Sequence, residues 1–435
     1  MKCIYCSSRE NLTSSDIISY AITGTKLTKS FVCHTHNAFT NDNYEKKFIA
    51  DLDFFRNQLG LSTREGKPIQ YWADISIGGA DVHNVKMSNR KSLYSPKNVV
   101  SGVDDNGKKV LIAPIEKLEK IKGGKVTTVD INDVTLHKTI SSDDFIGFSA
   151  IHSVAKMAYE WYCYNNNIEE FYEEYKEIVD YILGNGNDLV DIVLDGNYYA
   201  AIDQLSEVGT NALFQYDDVD GYRYVVFDLW KTISYRVKIC KVSENVPRID
   251  NVNPLPFEVH LYRLDGSKSK TVFEVICLDG SRKLKLITAQ PESINLELWK
   301  IFVKRIEKIM TTMVLSIHIL KREVDSIASD LKKYDAGKID IAQLLGYEEN
   351  NIAAVLEIMN LLYENKEKYN DSKSFNENLA LVLNLSSDIV TRTTEDKKVF
   401  IASLVEMDKK GILSDHIRNG ICTFNSIYEI EMKRT

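Results

Sequence analysis

Proline is scarce in this chain, with 7 in 435 residues, and no stretch is Pro-rich enough to act as a stiff linker. Cysteine is scarce too, and its count of 7 is odd, which excludes a dense disulfide framework. No apolar run approaches the ~20 residues a membrane-spanning helix needs. The opening Met1-Lys2-Cys3-Ile4 has no apolar signal core. These absences lead to the expectation of a cytoplasmic protein with no membrane partner. Positive charge is not in excess: 54 Lys and Arg stand against 62 Asp and Glu, a formal net charge of −8. That balance excludes a surface coated all over in nucleic acid, though not a local basic groove. There is no Gly-rich phosphate loop of the P-loop or dinucleotide type, no internal repeat and no low-complexity segment.

What is present is an ordinary globular composition, 44% apolar and 27% charged, in a chain long for one domain. Patterning predicts an α+β protein in three parts: a compact, turn-rich segment at 1–70, a mixed strand and helix body at 71–290, and an all-helical domain at 291–435. Gly102 to Ile112 reads as a hairpin turning at Asn106-Gly107. Ile151, Val154, Ala155, Ala158 and Tyr159 fall at helical spacing, and a second helix, Ile168 to Ile182, stops at Gly184-Asn185-Gly186. Tyr222 to Trp230 and Ile233 to Val237 are rich in β-branched and aromatic residues and read as strands. Leu296 opens a long amphipathic helix expected to reach Lys333, whose apolar side needs a partner within the chain or in a second copy.

Cys163, Cys240, Cys277 and Cys422 stand singly and read as small core residues. Cys3, Cys6 and Cys33 do not. The spacing Cys3-x-x-Cys6, then Cys33-x-x-His36, lets each pair present two side chains from one turn. Two such pairs close a tetrahedral Zn2+ shell of thiolate and imidazole. A segment so short has little core of its own, so the ion would be structural. His34 competes as a nitrogen ligand but stands at the wrong spacing from Cys33.

The same residues carry a resemblance. Cys3-Ile4-Tyr5-Cys6, then Ser15-Asp16-Ile17-Ile18 through Gly24, then Val32-Cys33-His34-Thr35-His36-Asn37-Ala38-Phe39 is similar to the bacterial HNH endonuclease family with a zinc-stabilised core. The resemblance covers residues 1–70, is loose to about 245, and is absent from the helical part. It implies a treble-clef scaffold, a nucleic acid as substrate, and a setting in defence against foreign DNA. The family places an acidic metal ligand and then a general-base histidine before its Ile-Ile pair; this chain has Ser15 and Asp16 there. His36 replaces the fourth zinc-binding cysteine. Asn37, which braces the hairpin in the family, is kept, and Asn41, Asp42 or Glu45 falls where a helix completes the metal site. The resemblance therefore places the catalytic positions at Asp16, Asn37 and Glu45. Asp16 with Glu45 can offer carboxylate oxygens to Mg2+, but a carboxylate is a weaker base than imidazole at neutral pH.

Other features read more plainly. Asp143-Asp144, Glu169-Glu170 and Glu173-Glu174 read as a helix start and solvated faces. His152, Lys156 and Glu160 share one helix face and read as helix-surface pairing, with bracing of a groove as the other reading. His83 and His137 are given no role. Tyr222, Tyr224, Phe227, Trp230 and Tyr235 read as sheet packing before base stacking. Basic residues are dense from Arg64 to Lys125, a DNA-binding face or a solvated surface. Two functions stay open: an HNH-like protein acting on DNA with weak or lost nuclease activity, and an inactive zinc-stabilised scaffold that recruits a protein partner, or a second copy, through its helical domain.

Overall fold

The computed structural model describes residues 2–24, 26–59, 61–67, 69–87, 100–113, 135–205, 208–247, 257–264, 266–273, 285–314, 317–345, 355–356, 359, 363 and 394–433. The protein is α+β, with helices and antiparallel sheets. It divides into two compact units, Met1–Ser206 with Thr210–Trp299, and Glu207–Gly209 with Lys300–Thr435. No described helix is long and apolar enough to cross a membrane.

The first unit carries three sheets. β1 (Leu12–Asp16) and β2 (Thr28–Cys33) pair as a hairpin with a bulge between Thr13 and Ser15. Five strands follow: β3 (Tyr71–Ile77), β4 (Ala80–Met87), β5 (Val100–Val103), β6 (Lys109–Ile112) and β7 (Thr135–His137), in the order β6-β5-β4-β3-β7. In β3, Tyr71, Ala73, Ile75 and Ile77 are buried while Trp72 is 56% exposed, the alternation of a sheet with one wet face. The third sheet is β8 (Val190–Val193), β9 (Asn211–Asp217), β10 (Tyr222–Leu229), β11 (Ile233–Lys241), β12 (Phe257–Tyr262), β13 (Lys268–Phe273) and β14 (Thr288–Ala289), in the order β13-β12-β9-β10-β11-β8-β14. In its centre, β10 is buried on both faces from Arg223 to Leu229, so Tyr224 to Phe227 is an unbroken apolar and aromatic run rather than an alternation. Phe227, Trp230 and Tyr235 are buried there as sheet packing.

The helix Phe148–Asn165 is the hub of this unit. Ala150, Val154, Ala158, Trp161 and Tyr162 are all buried, and the helix packs against β10 and β11 and against the helical turn Asn41–Glu45. His152, Lys156 and Glu160 are buried as well. They are not a surface ladder, because the helix has neighbours around its whole circumference. The N-terminal segment is tied to it directly: Tyr159 Oη donates to the Ile4 carbonyl at 2.8 Å; a further bond runs from Lys2 N–H to the carbonyl of Glu169, beyond the helix end, at 3.0 Å.

A second tie comes from the turn between β10 and β11. Trp230 (φ 54°) and Lys231 (φ 65°) both lie in the left-handed region, where residues bearing a Cβ cost about 1–3 kcal/mol each. Side-chain bonds hold them there. The Trp230 indole is fully buried and its Nε1 donates to the Ile22 carbonyl at 2.9 Å. Lys231 N–H donates to Asp228 Oδ1 at 2.9 Å, and its ammonium to the Asp203 carbonyl at 2.9 Å. Ile22 belongs to the short helix Tyr20–Thr23, which Gly24 ends at φ 66°, a conformation glycine adopts without strain.

In the second unit the described segments are helical, among them Ile317–Asp335, Ile341–Leu345, Thr394–Lys409 and Leu413–Lys433. Val324, Ile327, Leu331, Leu344, Val355, Leu356, Met359, Leu404, Ile417 and Phe424 form their shared core. Gly420 lies where a Cβ would come within 2.9 Å of Met359, so only glycine permits that approach. Of the helix expected to run from Leu296 to Lys333, Leu296–Val314 and Ile317–Asp335 are helical, and residues 315–316 lie outside the described residues. Cys277 and the turn at Leu278 to Gly280 lie outside the described residues.

On the wet face of the five-stranded sheet, His83 sits between two carboxylates: Nδ1 lies 3.1 Å from Asp74 Oδ2, and Nε2 lies 3.0 Å from Asp105 Oδ1. Only an imidazolium offers a proton on both sides. Hydrogen bonds to Asp105 and Asp74 hold the imidazole above the usual histidine range. The clamp ties the β5–β6 turn to β3. Its stabilisation is fully present below the ordinary value of about 6.5 and is lost as pH rises through the higher folded value. NMR titration should place the His83 midpoint above that of a free histidine, and amide exchange in β5 and β6 should quicken over the same window. Asp105→Asn should lower the midpoint; a midpoint at or below the ordinary value in the wild type refutes the clamp.

Candidate metal centre and adjoining cleft

Cys3 and Cys6 frame a tight turn, closed by Ser7 N–H donating to the Cys3 carbonyl at 2.8 Å, with Ser7 at φ 58°. Cys33 ends β2 and precedes the helix His34–Thr40, which carries His36 in its first turn. The pairing Leu12↔Cys33 and the bond from Ile4 N–H to the Phe31 carbonyl, 2.8 Å, bring the two turns together. One ligand atom from each of Cys3, Cys6, Cys33 and His36 then lies within 4.8 Å of all the others. Cys6 Sγ is 4.0 Å from Cys33 Sγ, and His36 Nδ1 is 3.7 Å from Cys3 Sγ and 3.2 Å from Cys33 Sγ. A tetrahedral ion with ordinary bond lengths puts such sulfurs about 3.8 Å apart and such S···N pairs about 3.6 Å apart. The four residues can therefore hold a metal ion. Burial pushes the Cys3 thiol up to about 12, so it ionises only as a cation arrives, and metal binding releases protons. Burial holds His36 below the usual histidine range, leaving a neutral imidazole suited to coordination. His34 does not join the cluster.

His34 lines instead an open cleft of about 590 Å³ beside the cluster, together with Asp16, Asn37, Asn41 and Glu45. The structure thus brings Asp16, Asn37 and Glu45 to one place. His34, Asn37, Asn41 and Glu45 recur at steps of three and four along one helix face. A π-helical turn at Asn41–Glu45, a rare distortion that often marks a functional site, sets where Glu45 lies. Thr40 Oγ1 donates to Glu45 Oε2 at 3.0 Å.

Three residues not singled out for the site decide its charge. Lys156 reaches the cleft floor from the hub helix with its side chain 2% exposed; its Nζ is 3.1 Å from Glu45 Oε1 and 3.5 Å from Glu160 Oε1, and it donates to Ser15 Oγ at 3.2 Å. Glu160, fully buried, accepts from Tyr5 Oη at 3.0 Å and from Ser15 Oγ at 3.1 Å. Arg64, from the loop that follows Leu61, is ion-paired to Asp16. Burial alone would lower the Lys156 ammonium, but the charges of Glu160 and Glu45 outweigh it and hold the group above the usual lysine range. Burial raises the Glu160 carboxyl, opposed by Lys156. Burial, with Glu160 next, also raises the Tyr5 phenol, so Tyr5 stays a neutral donor. The spacing of Lys156 and Glu160 was visible as a helical pair; their burial was not, since it depends on Tyr5, Ser15 and Glu45 more than 100 positions away.

Comparison with known proteins returns no matching family model, curated protein or solved structure.

Purified protein should carry about one tightly held metal ion per chain. Cys6→Ser should abolish that stoichiometry and lower the melting temperature of the first unit. Acidification should release the ion as the thiolates and His36 take up protons. Elemental analysis of both proteins checks this, and equal metal content in the variant would sink the assignment.

Proposed function

We propose that residues 1–70 form a zinc-stabilised treble-clef module of HNH descent, and that the protein binds DNA without cleaving it. Three thiolates and an imidazole in a tetrahedral array favour Zn2+ over harder ions. The observation that carries the loss of cleavage is the state of Ser15 and Asp16. Ser15 is buried and bonded to Glu160 and Lys156, and the Asp16 carboxylate is held by Arg64. Water attack on a phosphodiester needs a free base and a cation at the leaving oxygen. Glu45, the remaining candidate ligand for Mg2+, already neutralises Lys156.

DNA binding rests on the exposed face that follows the module. Lys67, Lys86, Lys108 and Lys109 are exposed, and the Lys86 ammonium lies 5.7 Å over the ring of the exposed Trp72. An aromatic face beside a cation suits a base and its phosphate. Arg90, Lys91, Lys97, Lys117, Lys120, Lys122 and Lys125 lie outside the described residues. On this reading the helical domain at 291–435 serves a protein partner or self-association, and bacterial defence against foreign DNA is the setting the resemblance implies. The second reading, a metal-stabilised scaffold without DNA contact, draws on the same closed site.

Fluorescence anisotropy with single-stranded and duplex DNA at several salt concentrations, and plasmid incubation with Mg2+, test the proposal together. The expected result is salt-sensitive binding with no cleavage. Trp72→Ala should weaken binding to single-stranded DNA about tenfold, the scale of one lost base stack. No binding at low salt would leave the scaffold reading. Plasmid cleavage abolished by Asp16→Ala would overturn both and make Asp16 a working replacement for the histidine.

A further inference from the structure

The Lys156 ammonium lies among oxygens alone: Glu45 Oε1 at 3.1 Å, Ser15 Oγ at 3.2 Å and Glu160 Oε1 at 3.5 Å. The remaining oxygens of the two carboxylates have their own donors. Thr40 holds Glu45 Oε2, and Ser15 holds Glu160 Oε2. Each carboxylate presents one oxygen to the cation and is anchored by the other, and Glu160 Oε1 also accepts from Tyr5 Oη at 3.0 Å. Two carboxylates and a hydroxyl converging on one point are the donor set of a hard divalent ion. The point borders a cleft open to solvent. Two carboxylates cannot both stay ionised so close together, largely out of water, unless a cation stands between them.

We propose that Lys156 is a built-in cation filling a seat that would otherwise take a divalent metal ion, so that the cleft is independent of divalent ions and closed to them. The inference rests on the reading of the cleft as non-hydrolytic and gives its physical cause. It also assigns the seat to Glu45, Glu160 and Ser15, with Asp16 outside it.

Mn2+ is the probe, read by electron paramagnetic resonance on protein whose Cys/His site is already filled with zinc. The wild type should bind no Mn2+ at the cleft. Lys156→Ala should bind one Mn2+ per chain, at least about tenfold more tightly than the wild type, and Glu45→Gln in that background should abolish it. Lys156→Ala leaves two buried carboxylates uncompensated and is expected to melt early. Mn2+ should then raise its melting temperature in a concentration-dependent way while leaving that of the wild type unchanged. Lys156→Ser, which also empties the seat, should behave alike. Binding by the wild type that Glu45→Gln removes would overturn the proposal. So would a Lys156→Ala or Lys156→Ser protein that neither binds Mn2+ nor is stabilised by it. The two failures are separable: plasmid cleavage by the wild type sinks the non-cleaving reading, whereas a second ion in the wild type, cleaving or not, sinks this one.

Discussion

Glu160 carries a carboxylate to a place that water does not reach, and the first unit is arranged around compensating it. Tyr5 from the metal-binding turn, Ser15 from β1 and Lys156 from the same helix all converge on it. Lys156 extends the chain of contacts to Glu45 in the π-helical turn. Four segments distant in sequence are thereby fixed by one buried charge. Removing one partner from such a group leaves an uncompensated charge, at a cost of about 3–5 kcal/mol. That is a large share of the stability of most domains, so the constraint is severe whatever the net worth of the ion pair itself.

The metal cluster and this network share a residue. Tyr5 lies between Cys3 and Cys6, its ring packs 5.5 Å from that of His36, and its hydroxyl meets Glu160. A shift of the turn on losing its ion would move the donor on which the buried carboxylate depends. The cleft floor is in this sense supported from beneath by the turn that carries Cys3 and Cys6, through one phenol.

Legibility in the sequence followed the range of the interactions. The paired ligands Cys3, Cys6, Cys33 and His36 could be read because each pair is set by two intervening residues, a local geometry. The strands β10 and β11 could be read because aromatic and β-branched runs are local too. Asp16, Asn37 and Glu45 were placed together by resemblance, and they do line one cleft. What could not be read was the sign and burial of the charges between them. Lys156 and Glu160 look the same in sequence whether they face water or the protein interior, and only the packing of Tyr5 and Ser15 against that helix settles it. His83 stood alone in sequence, yet its partners Asp74 and Asp105 arrive through strand pairing and a hairpin turn. The second-unit core draws on Val324, Leu356 and Phe424 together, so the apolar side of Ile317–Asp335 finds partners within the chain.

The turn at Trp230 and Lys231 bears on the order of events during synthesis. Ile22 waits for an indole 208 positions further along, an interval of roughly ten to forty seconds at ordinary translation rates of ~5–20 residues per second. The metal ligands span only Cys3 to His36, so the N-terminal turns can close on an ion long before the sheet that will hold them exists. Whatever closes early must cover Ile17, Ile18 and Ile22, all fully buried in the finished protein, until that late, distant lock is made.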